Sequence, residues 1–152
     1  MIDENAAATC GPSAKDRSFI SDEPLRNARC QGRAGVAIRV RLTSYRSLPL
    51  SCIEAVELTI DGRSIDPDDL RLTLNYTTHK LRDLGKLTNH WWFILDYAEL
   101  FAPLDQPLAP GLHDVEGSLV TVEPYITAGR FSFHKSVAKR LALESESVWG
   151  SV

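Results

Sequence analysis

Several things are scarce in this chain. It has one methionine and three cysteines in 152 residues. The cysteines stand at positions 10, 30 and 52, odd in number and without a C-x-x-C spacing. That pattern supplies neither a disulfide framework nor a zinc site. No apolar run approaches the roughly 20 residues of a membrane-spanning helix. No run of Lys and Arg exceeds two, and the formal net charge is −3, so nucleic acid and anionic membranes are poor partners. There is no glycine-rich phosphate loop and no internal repeat. The opening residues, MIDENAAATCGPSAKDRS, lack the apolar stretch of a signal peptide. Together these absences predict a soluble, reduced, cytoplasmic protein.

What is present suits one domain. Hydrophobic residues make up 43% of the chain and charged residues 24%, a balance that lets a domain of this size bury about 70% of its unfolded surface without staples. Residues 1–17 are small and polar and predict a flexible arm. The domain is expected over 18–143, with a frayed tail over 144–152.

The clearest strand is VAIRVRLTS, where Val36, Ile38, Val40 and Leu42 share one face and Ala37, Arg39, Arg41 and Thr43 the other. A hairpin is expected before it, turning near Gln31-Gly32. IEAVELTI alternates in the same way, with Val56, Leu58 and Ile60 inward, and ends in the hairpin signal Asp61-Gly62. Pro67 presets a turn in DPDDL. In LRLTLNY the alternation places Leu70, Leu72, Leu74 and Tyr76 inward. THKLRDLGKL, with Leu81 and Leu84 three apart, is the one helical stretch. WWFILDYAEL favours strand, and PLDQPLAPGL is a loop. LHDVEGSLVTVEPYI reads as a long strand bulged at Gly117. GRFSF and VAKRLAL add further strands. The fold class is therefore all-β, an antiparallel sandwich or barrel-like domain with one short helix.

A catalytic set is hard to find. His79, His90, His113 and His134 do not pair at short spacing. On a strand, His113 faces away from Asp114 and Glu116, which reads as rim or surface chemistry. Cys52 has no histidine close in sequence and reads as a buried thiol. The carboxylates of DPDDL lack calcium-loop spacing and read as a solvated turn. Trp91 and Trp92, adjacent on a strand, must face opposite ways, so one can enter the core while the other meets a sugar or a protein partner.

The link YRSLPLS between the two best strands is unusual because it has no glycine. Its plainer reading is a corner between sheets with Leu48 and Leu50 tucked under. Tyr45 and Arg46, side by side, are residue types enriched at binding hot spots. Pro49 limits the entropy lost when such a loop is fixed against a partner.

The ordered set IRVRLTSYRSLPLSCIEAVELTIDG, KLRDLGKL, WWFIL and LAPGLHDVEGSLVTVEPYI resembles the small β subunit of bacterial C-glycoside deglycosidases over roughly residues 25–143. In that family a strand ends in a Tyr-Arg-Gly-x-Pro-Leu-Ser loop and leads to a Val-Asp-Gly hairpin. A tryptophan strand and a Pro-Gly-x-His strand come next. Ser47 stands where the family favours Gly, and the segment after Thr121 departs from the family's Arg-x-Ser-Tyr-Met-Pro pattern. The resemblance implies a heteromer with a TIM-barrel α subunit that carries a divalent metal, manganese by expectation, and the general base. It implies C–C cleavage of a 3-oxo-C-glycoside such as an oxidised flavonoid C-glycoside by β-elimination, a lyase reaction. This chain would then hold no metal and no catalytic residue. Tyr45, Arg46, Leu48, Pro49, Trp91 and Trp92 would form the subunit interface or the active-site rim. Two alternatives stay open: a stand-alone carbohydrate-binding module with a tryptophan platform, and a small independent enzyme.

Overall fold

The computed structural model describes residues 18–44, 46–123 and 132–144. The arm at 1–17, Tyr45, residues 124–131 of the expected VEPYI and GRFSF strands, and the tail from 145 lie outside them. Among the described residues eleven strands are formed: β1 Arg26–Cys30, β2 Arg33–Arg41, β3 Leu48–Pro49, β4 Ile53–Ile60, β5 Arg63–Ile65, β6 Arg71–Leu74, β7 Thr77–Lys80, β8 Trp91–Trp92, β9 Tyr97–Pro103, β10 Leu112–Val122 and β11 Ser132–Ala142. They build a five-stranded sheet in the order β1-β2-β9-β6-β7, a four-stranded sheet in the order β11-β10-β4-β5, and the small pair β3-β8. The named strand pairs are all antiparallel. No helix among the described residues is long and apolar enough to cross a membrane.

Period-two patterning explains the layers. Val36, Ile38 and Val40 of β2 with Leu72, Leu74, Leu100 and Ala102 bring one inner face. Val56, Leu58, Ile60, Val115 and Leu119 bring the other, and all belong to one buried cluster. The sandwich expectation holds. The Gln31-Gly32 and Asp61-Gly62 turns form as expected, with φ of 53° and 82°, and of 50° and 82°. Glycine in the second position accepts the left-handed backbone of these tight hairpins at no steric cost.

Several expectations are corrected. Tyr76 does not point inward: it is fully exposed, in a turn between β6 and β7. Alternation fails there because the strand ends at Leu74. The helical stretch is a 3₁₀ segment over Leu81–Lys86, preceded by β7, and no side chain caps it. Six residues are too few for a stable α-helix without caps. WWFILDYAEL, which favours strand, forms two strands, β8 and β9, separated by a turn. The bulge in β10 lies between Val120 and Thr121, while pairing runs unbroken through Gly117. Gly117 serves space instead: a Cβ there would stand 2.9 Å from Ile20 Cδ1. SFHKSVAKRLA is a single strand, β11, rather than two.

The segment before β1 also carries more than its weak pattern announces. Phe19, Ile20 and Leu25 are buried. Ser21 N–H donates to the Arg39 carbonyl and Arg41 N–H to that of Phe19, extending the edge of β2. Leu25 bridges in parallel to Leu143, which joins the two sheets at one border.

Candidate functional site

The glycine-free link needs no tight turn, because β2 and β4 belong to different sheets and the link crosses between them. Leu48 and Leu50 are buried beneath it, as the corner reading expects. The crossing is stapled to the tryptophan pair. Leu48 pairs with Trp92 and Pro49 with Trp91, and Leu50 N–H donates to the His90 carbonyl at 2.7 Å while Ser51 N–H donates to that of Leu87 at 3.1 Å. Ser47 adds a side-chain tie: its Oγ accepts from Ile94 N–H at 2.8 Å. The family's glycine at this position would lack that acceptor.

Of the six residues singled out from sequence, Tyr45 lies outside the described residues. Leu48 and Trp92 are fully buried in the core, so in this chain they support a surface rather than form one. Trp92 Nε1 donates to the Asp96 carbonyl at 3.0 Å, which satisfies its one polar group. Arg46 is exposed, with its N–H held by Ser44 Oγ at 3.3 Å. Pro49 is half-buried and Trp91 is 44% exposed. The structure thus sets Pro49 beside Trp91, leaves Arg46 exposed, and sends the two tryptophans opposite ways.

Sequence reasoning missed the residues beyond Trp91. Trp91, Phe93, Leu95 and Tyr97 are exposed by 44%, 55%, 82% and 43%. The residues between them, Trp92, Ile94 and Asp96, are buried or half-buried. Large apolar side chains therefore stand exposed at alternate positions of a row along the sequence, from β8 through the turn at 93–96 into β9, contrary to the pattern of β2 and β4. WWFILDY is apolar at both phases, which hides the alternation. An outward row of this size marks an interaction surface more often than a solvent face.

Tyr97 anchors the far end of the row. The guanidinium groups of Arg39 and Arg41 lie 5.2 and 4.8 Å from its ring centroid, and Arg41 Nη2 donates to its hydroxyl. Three chain segments meet at this end of the five-stranded sheet. They are the exit of β2 into the crossing, the entry of β9, and the turn after β6. Asn75, Tyr76, Asp96 and Tyr97 line one open groove of about 430 Å³ there, with Arg39. The side chains are suited to contact: flat rings, guanidinium forks and exposed apolar groups. No nucleophile with an adjacent base stands among them.

Elsewhere the structure gathers titratable groups that sequence left apart. His79 and His90 meet edge to face with centroids 6.1 Å apart. Burial first, then the neighbouring His90, pushes the His79 imidazole below its ordinary pKa. His113, expected at the rim, is buried. Its Nδ1 faces Asp61 Oδ2 at 2.7 Å and its Nε2 the Ala109 carbonyl at 2.6 Å. Both neighbours accept, so the imidazolium, which donates from both nitrogens, fits this pocket best. Among the described residues no group of three or more His, Cys, Asp and Glu side chains is arranged to hold a metal ion. Cys30 is a free thiol and Cys52 is buried.

The His113 clamp predicts a pH profile. The hydrogen bond to Asp61 first, then that to Ala109, raises the His113 pKa. The bond to His113 first, then that from Asp114 N–H, lowers the Asp61 pKa. Asp114 turns its own carboxylate to Arg140 at 2.9 Å. A raised histidine stabilises fully below its unfolded pKa of about 6.5, and that contribution is lost as pH rises through the folded value. A lowered carboxylate stabilises above about pH 3.9, and its contribution is lost as pH falls through the folded value. The clamp's contribution to the melting temperature should be highest between roughly pH 4 and 6.5 and decline above that window, while the lowered His79 works the opposite way, losing stability as pH falls below about 6.5. Thermal scans of His113→Asn should show a lower and flatter profile on the alkaline side; an unchanged slope would refute the clamp.

Comparison with known proteins identifies the family. A family model described as C-glycoside deglycosidase beta subunit matches residues 15–125. The chain is 39% identical over 117 residues to a C-glycoside deglycosidase beta subunit of Arthrobacter globiformis, spanning 76% of this chain and 89% of the relative. It is 39% identical over 93 residues to a 3'-dehydrocarminate deglycosidase beta subunit of Microbacterium sp, spanning 61% and 70%. A C-glycoside deglycosidase beta subunit of Microbacterium trichothecenolyticum is 40% identical over 90 residues, spanning 59% and 68%. With a matched family model across most of its length and a relative covered almost end to end, the chain belongs to the C-glycoside deglycosidase β-subunit family.

Proposed function

We propose that this chain is the non-catalytic subunit of a heteromer that splits the C–C bond between sugar and aglycone in 3-oxo-C-glycosides. The observation that carries the reading is the outward row Trp91, Phe93, Leu95 and Tyr97 beside the stapled crossing. A subunit must present such a surface, whereas a catalyst must present a reactive set, and among the described residues no such set is found at this surface. The Microbacterium relative is named for a 3'-dehydro compound, which supports a substrate already oxidised at the sugar.

A ketone at C3 makes the C2 proton acidic. A general base removes that proton and the C1–C2 double bond forms. The C1–aglycone bond breaks with its electron pair leaving on the aglycone carbon, which is then protonated. The base belongs to the partner, a TIM barrel in this proposal, as does a divalent ion that polarises the ketone. The described residues of this chain do not fit such an ion. Its part is to cover the C-terminal rim of the barrel, where active-site loops lie, to fix those loops, and to keep water out.

The test uses a TIM-barrel α subunit, as the proposed partner, and a 3-oxo-C-glycoside. The two proteins mixed should form a complex and release aglycone; this chain alone should do neither. Cleavage by this chain alone would make it an independent enzyme. Glycoside binding by the chain without any complex would favour a carbohydrate module.

A further inference from the structure

Three tight hairpin turns among the described residues offer an internal comparison. Each has left-handed backbone at both central positions: Gln31-Gly32, Asp61-Gly62 and Asn75-Tyr76. Two use glycine second, the residue that this geometry favours. The third places a tyrosine there, at φ 67°. A bulky residue held in that region is strained, and strain of this kind persists where something else requires it. Packing within the chain does not require it, since the Tyr76 side chain is fully exposed. An aromatic ring left wholly in water at a strained position gives the isolated domain no benefit.

Location supplies the missing requirement. The Gln31-Gly32 turn lies at the opposite end of the five-stranded sheet, where Gln31 accepts from Arg71 Nε at 3.3 Å. The Asn75-Tyr76 turn lies at the end that carries the outward row. Tyr76 shares a groove with Tyr97, the last member of that row, and with Arg39 and Asp96. Tyr97 itself is already occupied by the two guanidinium groups, so its ring is not a free platform for a sugar. A projecting, unsupported ring instead resembles a knob for a pocket on a protein surface.

We infer that Tyr76 is an anchor residue of the interface with the catalytic subunit, retained in a turn that would be more stable with glycine. The inference rests on the docking surface proposed above and extends it from the row to the neighbouring hairpin.

The experiment compares full-length Tyr76→Gly, Tyr76→Asn and Phe93→Ser. Thermal melting is measured on the chain alone, and affinity for the catalytic subunit by calorimetry. Tyr76→Gly should raise the melting temperature by about 2–4 °C and weaken binding at least about thirtyfold. Tyr76→Asn keeps a residue tolerant of left-handed backbone and should lose the same affinity, which assigns the effect to the ring. A lower melting temperature in Tyr76→Gly would show that the ring packs on its own chain and would overturn the inference. Unchanged affinity in both Tyr76 variants, with Phe93→Ser weakened, would overturn it and leave the docking surface standing. Unchanged affinity in all three would remove the docking surface and the inference with it. Loss of glycoside binding with intact subunit affinity would make the groove a sugar site and equally overturn it.

Discussion

Serine at both Phe93 and Leu95 is expected to separate this chain from the catalytic subunit proposed for it while leaving the isolated domain intact. The two side chains are 55% and 82% exposed, so the folded chain gains little from them. Surface substitutions of this kind usually change stability by less than about 0.5 kcal/mol. Docked against a partner, the same side chains would leave water, and each Å² of apolar surface removed is worth about 25 cal/mol. A central hot-spot side chain carries about 2 kcal/mol or more, roughly thirtyfold in affinity. Two together should cost several hundredfold. Release of aglycone should fall in proportion at low protein concentration and recover when the subunits are mixed at high concentration. Recovery matters, because it separates lost assembly from lost chemistry. Normal assembly by the double variant would show that the row faces water in the complex, and the interface would have to be sought elsewhere.

How far this surface can be foreseen depends on what each segment's residues reveal. Strands buried on one face are legible because their alternation is strict: Val36, Ile38 and Val40 in β2, and Val56, Leu58 and Ile60 in β4. The same rule fails at residues 91–97, where both phases are apolar and period two carries no sign of which face is out. It fails again at Tyr76, since the apolar alternation of Leu-Asn-Tyr-Thr runs on past Leu74, where the strand stops. Asn75 is the available clue, being tolerant of left-handed backbone. Contacts between distant segments are beyond reach in principle. Asp61 and His113 are 52 residues apart, and only the pairing of β4 with β10 sets them side by side. The crossing is legible as a corner, but not its staple to Trp91 and Trp92, because a two-residue pairing leaves no periodic trace.

Trp92→Ala should produce the largest loss of stability of any single change at this surface. Its neighbour in sequence, Trp91, should produce almost none. Trp92 is fully buried, and truncating a buried aromatic typically costs about 3–5 kcal/mol, a large part of the roughly 5–15 kcal/mol that holds a domain together. The indole also donates to the Asp96 carbonyl at 3.0 Å, so the turn that displays Phe93 and Leu95 loses a tie. On its other side Trp92 pairs with Leu48, and loosening that pair frees the crossing that carries Arg46. A fall in melting temperature of about 10 °C or more is expected, with weaker assembly as a consequence. Trp91→Ala removes a 44% exposed ring from the rim and should weaken assembly while the melting temperature holds. The two variants thus separate the buried support of the surface from the surface itself. Equal melting temperatures for both would mean that the core tolerates the cavity and that the staple between the crossing and β8 does not fix the site. A stable Trp92→Ala chain that still fails to assemble would instead turn the indole toward the partner, against its burial here.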